Sequence, residues 1–358
     1  MEINSSAASS KSTMVYNVND TATQVLAAKQ VKENIFMNLV HKDGYGVTEY
    51  EETNASSIRI LKVKPAGNTA RQLGTGTNGG GWFSKALVKT PEVVEYDLNL
   101  IYVYDTPIDI PEVQQDMVSV NLMDNTTKNI GGEVATEINA STLAVQLANR
   151  FNSAQASTQS EAKAWGGIAV IEGESSYDAI QEASSMLDDG DEDNNVQSFP
   201  FAEREIILRP SFRAELLNDK GVIRGGSNYA QSMLAKGAVS PEAKKEWGNM
   251  YCGEIDGIPC YIAPSQLWAN ASKWVGTTTT AFDSVKAIVC AASATDRGIS
   301  TQDYIKTIES PDGAGKRLQP KTRWGCNVAY PKGIVPILAS SATKPTAKLT
   351  VLAPGSRS

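Results

Sequence analysis

Apolar side chains recur at helical spacing in three separate parts of the chain. The first predicts a helix over residues 25–40. The second predicts a helix over 175–187, where Ser175 or Ser176 is suited to cap the first turn. The third predicts a short helix over 210–217, which begins at a proline, a residue that tolerates the first helical position because no amide donor is needed there.

A fourth segment predicts a much longer helix. Asp109 is suited to cap its start, Pro111 occupies an early position, and Glu112 follows three residues after the cap. The glycine pair 131–132 lowers the local helix propensity, and beyond it apolar residues at helical spacing continue to Phe151. This helix is expected to pack one face on a sheet, and its other face is polar.

β-Branched and alternating segments predict the strands. Residues 57–64 and 92–104 are separated by a glycine-rich loop without apolar periodicity, which predicts a long two-stranded ribbon that projects from the body. Further strands are predicted over 204–210, 258–263, 285–291, 304–309, 323–330 and 334–338. Because helices and strands do not alternate regularly, the predicted fold class is α+β.

Composition excludes several classes of protein. No apolar run approaches the roughly 18 residues needed to span a membrane. The net charge of -7 argues against a protein that reads DNA sequence, since such proteins bind phosphates through Lys and Arg. The four cysteines are predicted to be buried free thiols. Residues 1–20 are polar and serine-rich without a secretion signal, which predicts an arm that orders on a partner in a protein folded in the cytoplasm.

Catalytic and metal motifs are weak. The single histidine, His41, is interpreted as a cationic ring near a helix C-terminus. Residues 74–79 match G-x-G-x-x-G, but no helix is predicted after them, so a hairpin tip is favoured over a nucleotide site. The acidic run 188–193 lacks the glycine and the final glutamate of a calcium loop and is interpreted as a solvated loop. We therefore predict no catalytic residue, no cofactor and no metal, although an enzyme that uses Cys252 or Cys260 is an alternative.

Charge is distributed unevenly around the predicted ribbon. Between residues 53 and 91 there are basic residues and no acids, and between 92 and 127 there are acids and no bases. Opposite charges can pair across the two strands of one ribbon, or between the ribbon of one subunit and the body of the next. The candidate assembly residues are the charged ones together with an aromatic pair: Arg59, Lys62, Lys64, Arg71, Trp82, Phe83, Lys85, Lys89, Glu92, Glu95, Asp97, Asp109, Glu112 and Asp116.

The order of the predicted elements carries a resemblance. An arm, an extended ribbon, a long helix, the strand-proline-helix string at 206–217 and the strand at 253–263 follow one another, and aromatic and proline-glycine strings at 324–337 end the series. In this order they resemble the major capsid proteins of tailed bacteriophages, the Hong Kong 97-type fold. The resemblance spans nearly the whole chain.

The resemblance implies a division of the chain into an N-terminal arm and short helix (1–50), an extended β-hairpin loop (51–108), a spine helix (109–165), an apical domain (166–300), closing strands (301–345) and a C-terminal tail (346–358). It implies a non-enzymatic subunit of an icosahedral shell, a virion capsid assembled in the host cytoplasm as pentamers and hexamers around double-stranded DNA. The implied partners are further copies of the chain, a portal protein, a separate scaffolding protein and a decoration protein. An encapsulin-like nanocompartment shell, which encloses an enzyme, is the alternative.

Overall fold

The computed structural model describes residues 21–51, 56–63, 93–105, 107–111, 122–154, 166–170, 175–194, 196–218, 247–275, 280–301, 306–309, 315–342, 345 and 348–352. The described helices are α1 (Thr21–Met37), α2 (Leu122–Ser153), α3 (Ser176–Asp188), α4 (Pro210–Leu217), α5 (Ser265–Lys273) and α6 (Thr280–Asp283). Among these helices, none has the length and hydrophobicity required to cross a membrane.

The described strands are β1 (Thr48–Glu51), β2 (Ser57–Val63), β3 (Val93–Asn99), β4 (Tyr102–Tyr104), β5 (Ile108–Pro111), β6 (Ile168–Val170), β7 (Arg204–Leu208), β8 (Tyr251–Ile255), β9 (Ile258–Ile262), β10 (Val285–Ala291), β11 (Thr295–Thr301), β12 (Lys306–Glu309), β13 (Gly315–Gln319), β14 (Thr322–Val328) and β15 (Ile334–Ala339). This mixture of helices and sheets confirms the predicted α+β class.

A six-stranded sheet with the order β6-β15-β10-β7-β9-β8 forms one part of the body. All five residues of β7 are buried, as expected for a central strand covered on both faces. Ile206 and Leu208 pack with α3 and α4 in one apolar cluster. Ile207 points to the opposite face, where it packs in the cluster that contains α2 and α5. The strand alternation therefore divides the core into two layers.

A four-stranded sheet with the order β1-β11-β14-β4 packs against α2. Trp324 of β14 is buried in the same cluster as α2, and its indole Nε1 donates a hydrogen bond of 2.9 Å to Ser141 Oγ. Helix α1 also lies on α2. A Cβ added at Gly131 would stand 2.5 Å from Asn34 Cβ, so this glycine permits the close approach of the two helices.

Several predicted elements are confirmed. Ser175 caps α3, since its hydroxyl accepts a hydrogen bond from the Asp178 amide. Helix α4 has the predicted bounds, and the long helix ends within two residues of Phe151. Cys252, Cys260 and Cys290 are buried free thiols, while Cys326 is partly exposed.

The prediction of a helix start at Asp109 is wrong. Residues Ile108–Pro111 form strand β5, which pairs with β13. The segment also has the alternation of a short strand, and a partner strand from the distant C-terminal part of the chain satisfies its backbone groups. The helix α2 is described from Leu122 onward.

The acidic run is not simply a solvated loop. Asp191 is buried, and its carboxylate lies 3.1 Å from Lys332 Nζ. Asp193 lies 2.7 Å from the same amine. Desolvation by burial raises the pKa of Asp191, but hydrogen bonds from Asn194 and Lys332 together have the larger effect and leave this pKa below its usual value. The loop is therefore attached to the turn that precedes β15.

Candidate assembly surface

Strands β2 and β3 form the described base of the ribbon. They pair antiparallel from Ser57 opposite Asn99 to Val63 opposite Val93. Their inward side chains form a small buried cluster, to which Tyr50 and Tyr96 add partly buried rings, and the buried members are Ile58, Ile60, Leu98 and Leu100. The ribbon base is therefore fixed on the body by its own apolar face.

Two glycines form the surface on which this cluster rests. Gly298 of β11 and Gly325 of β14 are direct cross-strand partners in the four-stranded sheet. A Cβ at Gly298 would stand 2.7 Å from Leu100 Cδ2 and 2.9 Å from Ile58 Cδ1. A Cβ at Gly325 would meet the backbone oxygen of Asn99. The absence of side chains at these two positions allows β3 to cross the sheet.

The outward face of the ribbon base is both apolar and charged. Leu61, Val63 and Val93 are 63%, 60% and 54% exposed. Arg59 and Glu95 form an ion pair beside them, across the two strands of the same chain. Such a pair contributes only about 0.2–1 kcal/mol when exposed to solvent. The exposed apolar side chains therefore have more free energy to gain from leaving water than the ion pair has to give.

Lys62 points inward and belongs to a different environment. Its amine lies 2.7 Å from Asp296 Oδ2 and donates a hydrogen bond of 3.0 Å to the backbone oxygen of Ser293. It also lies 5.3 Å from the ring centre of Tyr330. The Tyr96 hydroxyl donates to the same Asp296 carboxylate, and burial together with this hydrogen bond raises the pKa of Tyr96.

The described charges therefore favour pairing within one chain. Arg59 contacts Glu95 and Lys62 contacts Asp296, rather than both being left free for a second subunit. Asp97 lies opposite Arg59 in the strand register. The backbone of Asp109 lies in β5, opposite Arg317. The remaining candidates fall outside the described residues: Lys64, Arg71, Trp82, Phe83, Lys85, Lys89, Glu92, Glu112 and Asp116.

Sequence reasoning missed the outward apolar residues. The alternation of Ser57–Val63 contains the signal, because Leu61 and Val63 share the parity of Arg59 while Ile58 and Ile60 have the opposite parity. One face of a two-stranded ribbon packs on the body, so the other face with its leucine and valine must be exposed. Val103 of the edge strand β4 and Ile101, which directly precedes that strand, are exposed as well.

A second polar group lies inside the body. His41 is fully buried, and its Nδ1 lies 2.7 Å from Glu205 Oε1. Arg297 forms a buried ion pair with Glu49 and donates a hydrogen bond of 3.1 Å to the backbone oxygen of His41. The interpretation of His41 as a cationic ring near a helix end is therefore wrong, because α1 ends at Met37 and the chain then turns into the core. Burial raises the pKa of Glu205.

A cavity of about 360 Å³ opens beside this group. Aromatic, aliphatic and charged residues together form its walls: Phe36, Leu39, His41, Lys42, Asp43, Tyr45, Glu49 and Trp247. Burial lowers the pKa of Lys42.

Comparison with known proteins identifies the fold. No family model matches the sequence, and no curated protein matches it. Among solved structures, the capsid of Cyanophage P-SCSP1u aligns with a TM-score of 0.50 and 12% identity over 83% of this chain and 88% of that chain. The head of Helicobacter pylori bacteriophage KHP40 aligns with a TM-score of 0.50 and 11% identity over 87% and 90%.

The capsid of Helicobacter pylori bacteriophage KHP30 gives a TM-score of 0.51 and 11% identity over 85% of this chain and 90% of that chain. Each alignment covers most of both chains. The chain therefore has the fold of phage capsid proteins, as its sequence resemblance implies.

Proposed function

We propose that this chain is the major capsid protein of a tailed bacteriophage. It is a structural subunit that assembles into pentamers and hexamers of an icosahedral shell around double-stranded DNA. The observation that carries the proposal is the alignment of at least 83% of the chain with three phage capsid or head structures. The subunit performs no chemical step, and its work is to make repeated contacts with its own copies.

The ribbon base supports this function through its two faces. The inward face is buried on the glycine pair Gly298 and Gly325, which gives the ribbon a fixed direction. The outward face exposes Leu61, Val63 and Val93 side by side. Because removing apolar surface from water is favourable, this face gains free energy when a second subunit covers it. Repetition of one such head-to-tail contact closes a ring when the rotation permits.

The partners and location follow from the same proposal. A shell of this kind requires a portal protein, a separate scaffolding protein and, on some shells, a decoration protein, and it assembles in the host cytoplasm before becoming the virion capsid. The net charge of -7 suits a container that encloses DNA without holding its phosphates tightly. The basic residues Arg71, Lys85 and Lys89 are proposed to contact acids of a neighbouring subunit.

Shortening the ribbon tests the assembly function directly. Replacement of residues 66–90 by a short Gly-Asn turn removes most of the segment that the sequence predicts to project and keeps the paired strands β2 and β3. We expect a folded subunit with an unchanged melting temperature that no longer forms rings or shells. The full-length and shortened chains are each expressed alone and together with the genes that lie beside them in the genome. Sedimentation and electron microscopy of the products then measure the result. Shells from the shortened chain, or a full-length chain that stays monomeric under all conditions, would contradict the proposal.

Substitutions of adjacent residues separate assembly from folding. Leu61→Glu places a charge on the outward face, so we expect assembly to fail while the melting temperature of the subunit stays within about 2 °C of wild type. Lys62→Glu is the matched control, because it leaves the buried Asp296 facing a like charge, and we expect it to lower the free energy of unfolding by about 3 kcal/mol or more. Normal shells from Leu61→Glu would assign the contact to another surface.

A further inference from the structure

Two strands of the six-stranded sheet bring a carboxylate and a thiol to the same place. Glu205 of β7 and Cys290 of β10 are direct antiparallel partners, so their side chains project from the same face of the sheet. The loop after α1 brings His41 against that face. One ring nitrogen of His41, a carboxylate oxygen of Glu205 and Cys290 Sγ all lie within 4.8 Å of one another.

These three side chains are fully buried, and some of their polar atoms have no hydrogen bond. Among the described residues, none donates to or accepts from His41 Nε2, although the ring has no exposed surface. The hydroxyl of Tyr261, on the neighbouring strand β9, likewise has no hydrogen-bond partner within the described part of the chain. Burial and the nearby carboxylate of Glu205 raise the pKa of Tyr261. Buried polar atoms are nearly always satisfied in native proteins, and a bound ion or water is the usual explanation where the protein supplies no partner.

We propose that His41, Glu205 and Cys290 form a binding site for a divalent zinc ion. Imidazole, carboxylate and thiolate are the three side-chain ligands that zinc takes in proteins, usually in a tetrahedral arrangement. Zinc-to-ligand distances of about 2.0–2.3 Å require ligand atoms about 3.3–3.8 Å apart. The ligand atoms of the three side chains lie within 4.8 Å of one another, and His41 also lines the neighbouring cavity.

Charge and surrounding hydrogen bonds suit this ion. A divalent cation with one carboxylate and one thiolate has no net charge, which is the arrangement that a buried site tolerates best. Binding requires the Cys290 thiol to lose one proton, which is released to solvent as the Zn–S bond forms. The backbone amide of Lys42 donates to Glu205 Oε2 at 3.3 Å and so orients the carboxylate, while Arg297 holds the backbone of His41. The positive charge of Arg297 is offset by Glu49.

The ion would join three parts of the chain that are far apart in sequence. His41 precedes β1, Glu205 lies in β7 and Cys290 lies in β10. The site therefore fixes the loop between α1 and β1 on the six-stranded sheet. This role is independent of the assembly function, because the site lies in the interior of one subunit.

Metal content and cobalt spectroscopy of the full-length chain test the site. The purified chain is stripped with a chelator, dialysed and titrated with Zn²⁺ or Co²⁺. We expect one zinc ion per chain by elemental analysis, and one equivalent of cobalt to produce a thiolate-to-cobalt charge-transfer band. Cys290→Ser should abolish that band and weaken zinc binding at least about 100-fold, a larger loss than that expected for an outer-shell residue. His41→Gln should weaken binding similarly, and His41 is the sole histidine of the chain.

Cys252→Ser is the matched control. Cys252 is also a buried thiol of the six-stranded sheet, but it packs in the apolar cluster on the other face. Its replacement should leave zinc binding unchanged. Equal binding by the Cys290 and Cys252 variants would overturn the proposal. If the Cys290 variant does not fold, the wild-type spectrum decides, since the lack of a thiolate-to-cobalt band at one equivalent overturns the site without any variant.

Discussion

Gly325→Ala is expected to lower the stability of the subunit and to displace the ribbon. The added methyl group meets the backbone oxygen of Asn99, which terminates β3 and cannot rotate away as a side chain would. Either β14 or the ribbon base must move, and overpacking of this kind costs about 1–3 kcal/mol. The displacement also changes the direction in which Leu61 and Val63 face. We therefore expect a reduced free energy of unfolding in urea together with failure to form shells.

Gly132→Ala provides the control for this prediction. Gly132 lies within α2, and a Cβ built there meets no atom within 4 Å. Because glycine costs about 0.5–1 kcal/mol in a helix interior relative to alanine, we expect this variant to be slightly more stable and to assemble normally. If Gly325→Ala behaves like Gly132→Ala in both measurements, the close approach of β3 to the sheet is not needed for ribbon position.

Arg297→Ala is expected to lower the stability of the subunit strongly. Arg297 is fully buried on β11, directly beside Glu49 of the parallel strand β1, and its guanidinium pairs with that carboxylate. The same side chain donates to the backbone of His41. Removal of one partner of a buried ion pair leaves an uncompensated charge, which costs about 3–5 kcal/mol. The free energy of unfolding in urea should fall by this amount.

A double variant distinguishes charge burial from loss of packing. Arg297→Met with Glu49→Leu removes both charges and keeps much of the side-chain volume. Since apolar replacements of buried ion pairs are often neutral or stabilising, we expect the double variant to regain most of the lost free energy. If Arg297→Ala lowers the free energy of unfolding by less than about 1 kcal/mol, water has replaced Arg297 as the partner of Glu49. A double variant as unstable as the single one would show that the hydrogen bond to His41 matters more than the pair.

The ribbon illustrates how far local pattern predicts this structure. The alternation in 57–64 and 92–104 predicts two paired strands, and the structure has both with a direct register from Ser57 to Val63. The second segment is divided into β3 and β4, because Tyr102–Tyr104 leaves β3 and pairs with β14. A change of partner strand has no signature in the sequence of the segment itself. The same reason explains β5, whose partner β13 lies about two hundred residues away.

The charged candidates show a similar limit. The sequence predicts a basic segment followed by an acidic one, and two kinds of pairing were consistent with it. The structure pairs Arg59 with Glu95, but it also pairs Lys62 with Asp296, an acid outside the segment considered. Strand parity separates these lysine and arginine side chains onto opposite faces. Which acid meets the inward lysine depends on strands β11 and β14 beneath the ribbon, which come more than two hundred positions later in the chain.

The sequence by itself determined the fold class, the helices α3 and α4, the end of α2, the central strands and the existence of the ribbon. These elements are set by side-chain periodicity, caps and prolines, which act within a few residues along the chain. The tertiary structure decided the environment of His41, the position of Gly298 and Gly325 under β3, and the convergence of Glu205, Cys290 and His41. Those features arise where strands from distant parts of the chain become neighbours, and only the packing of the whole core fixes which strands these are.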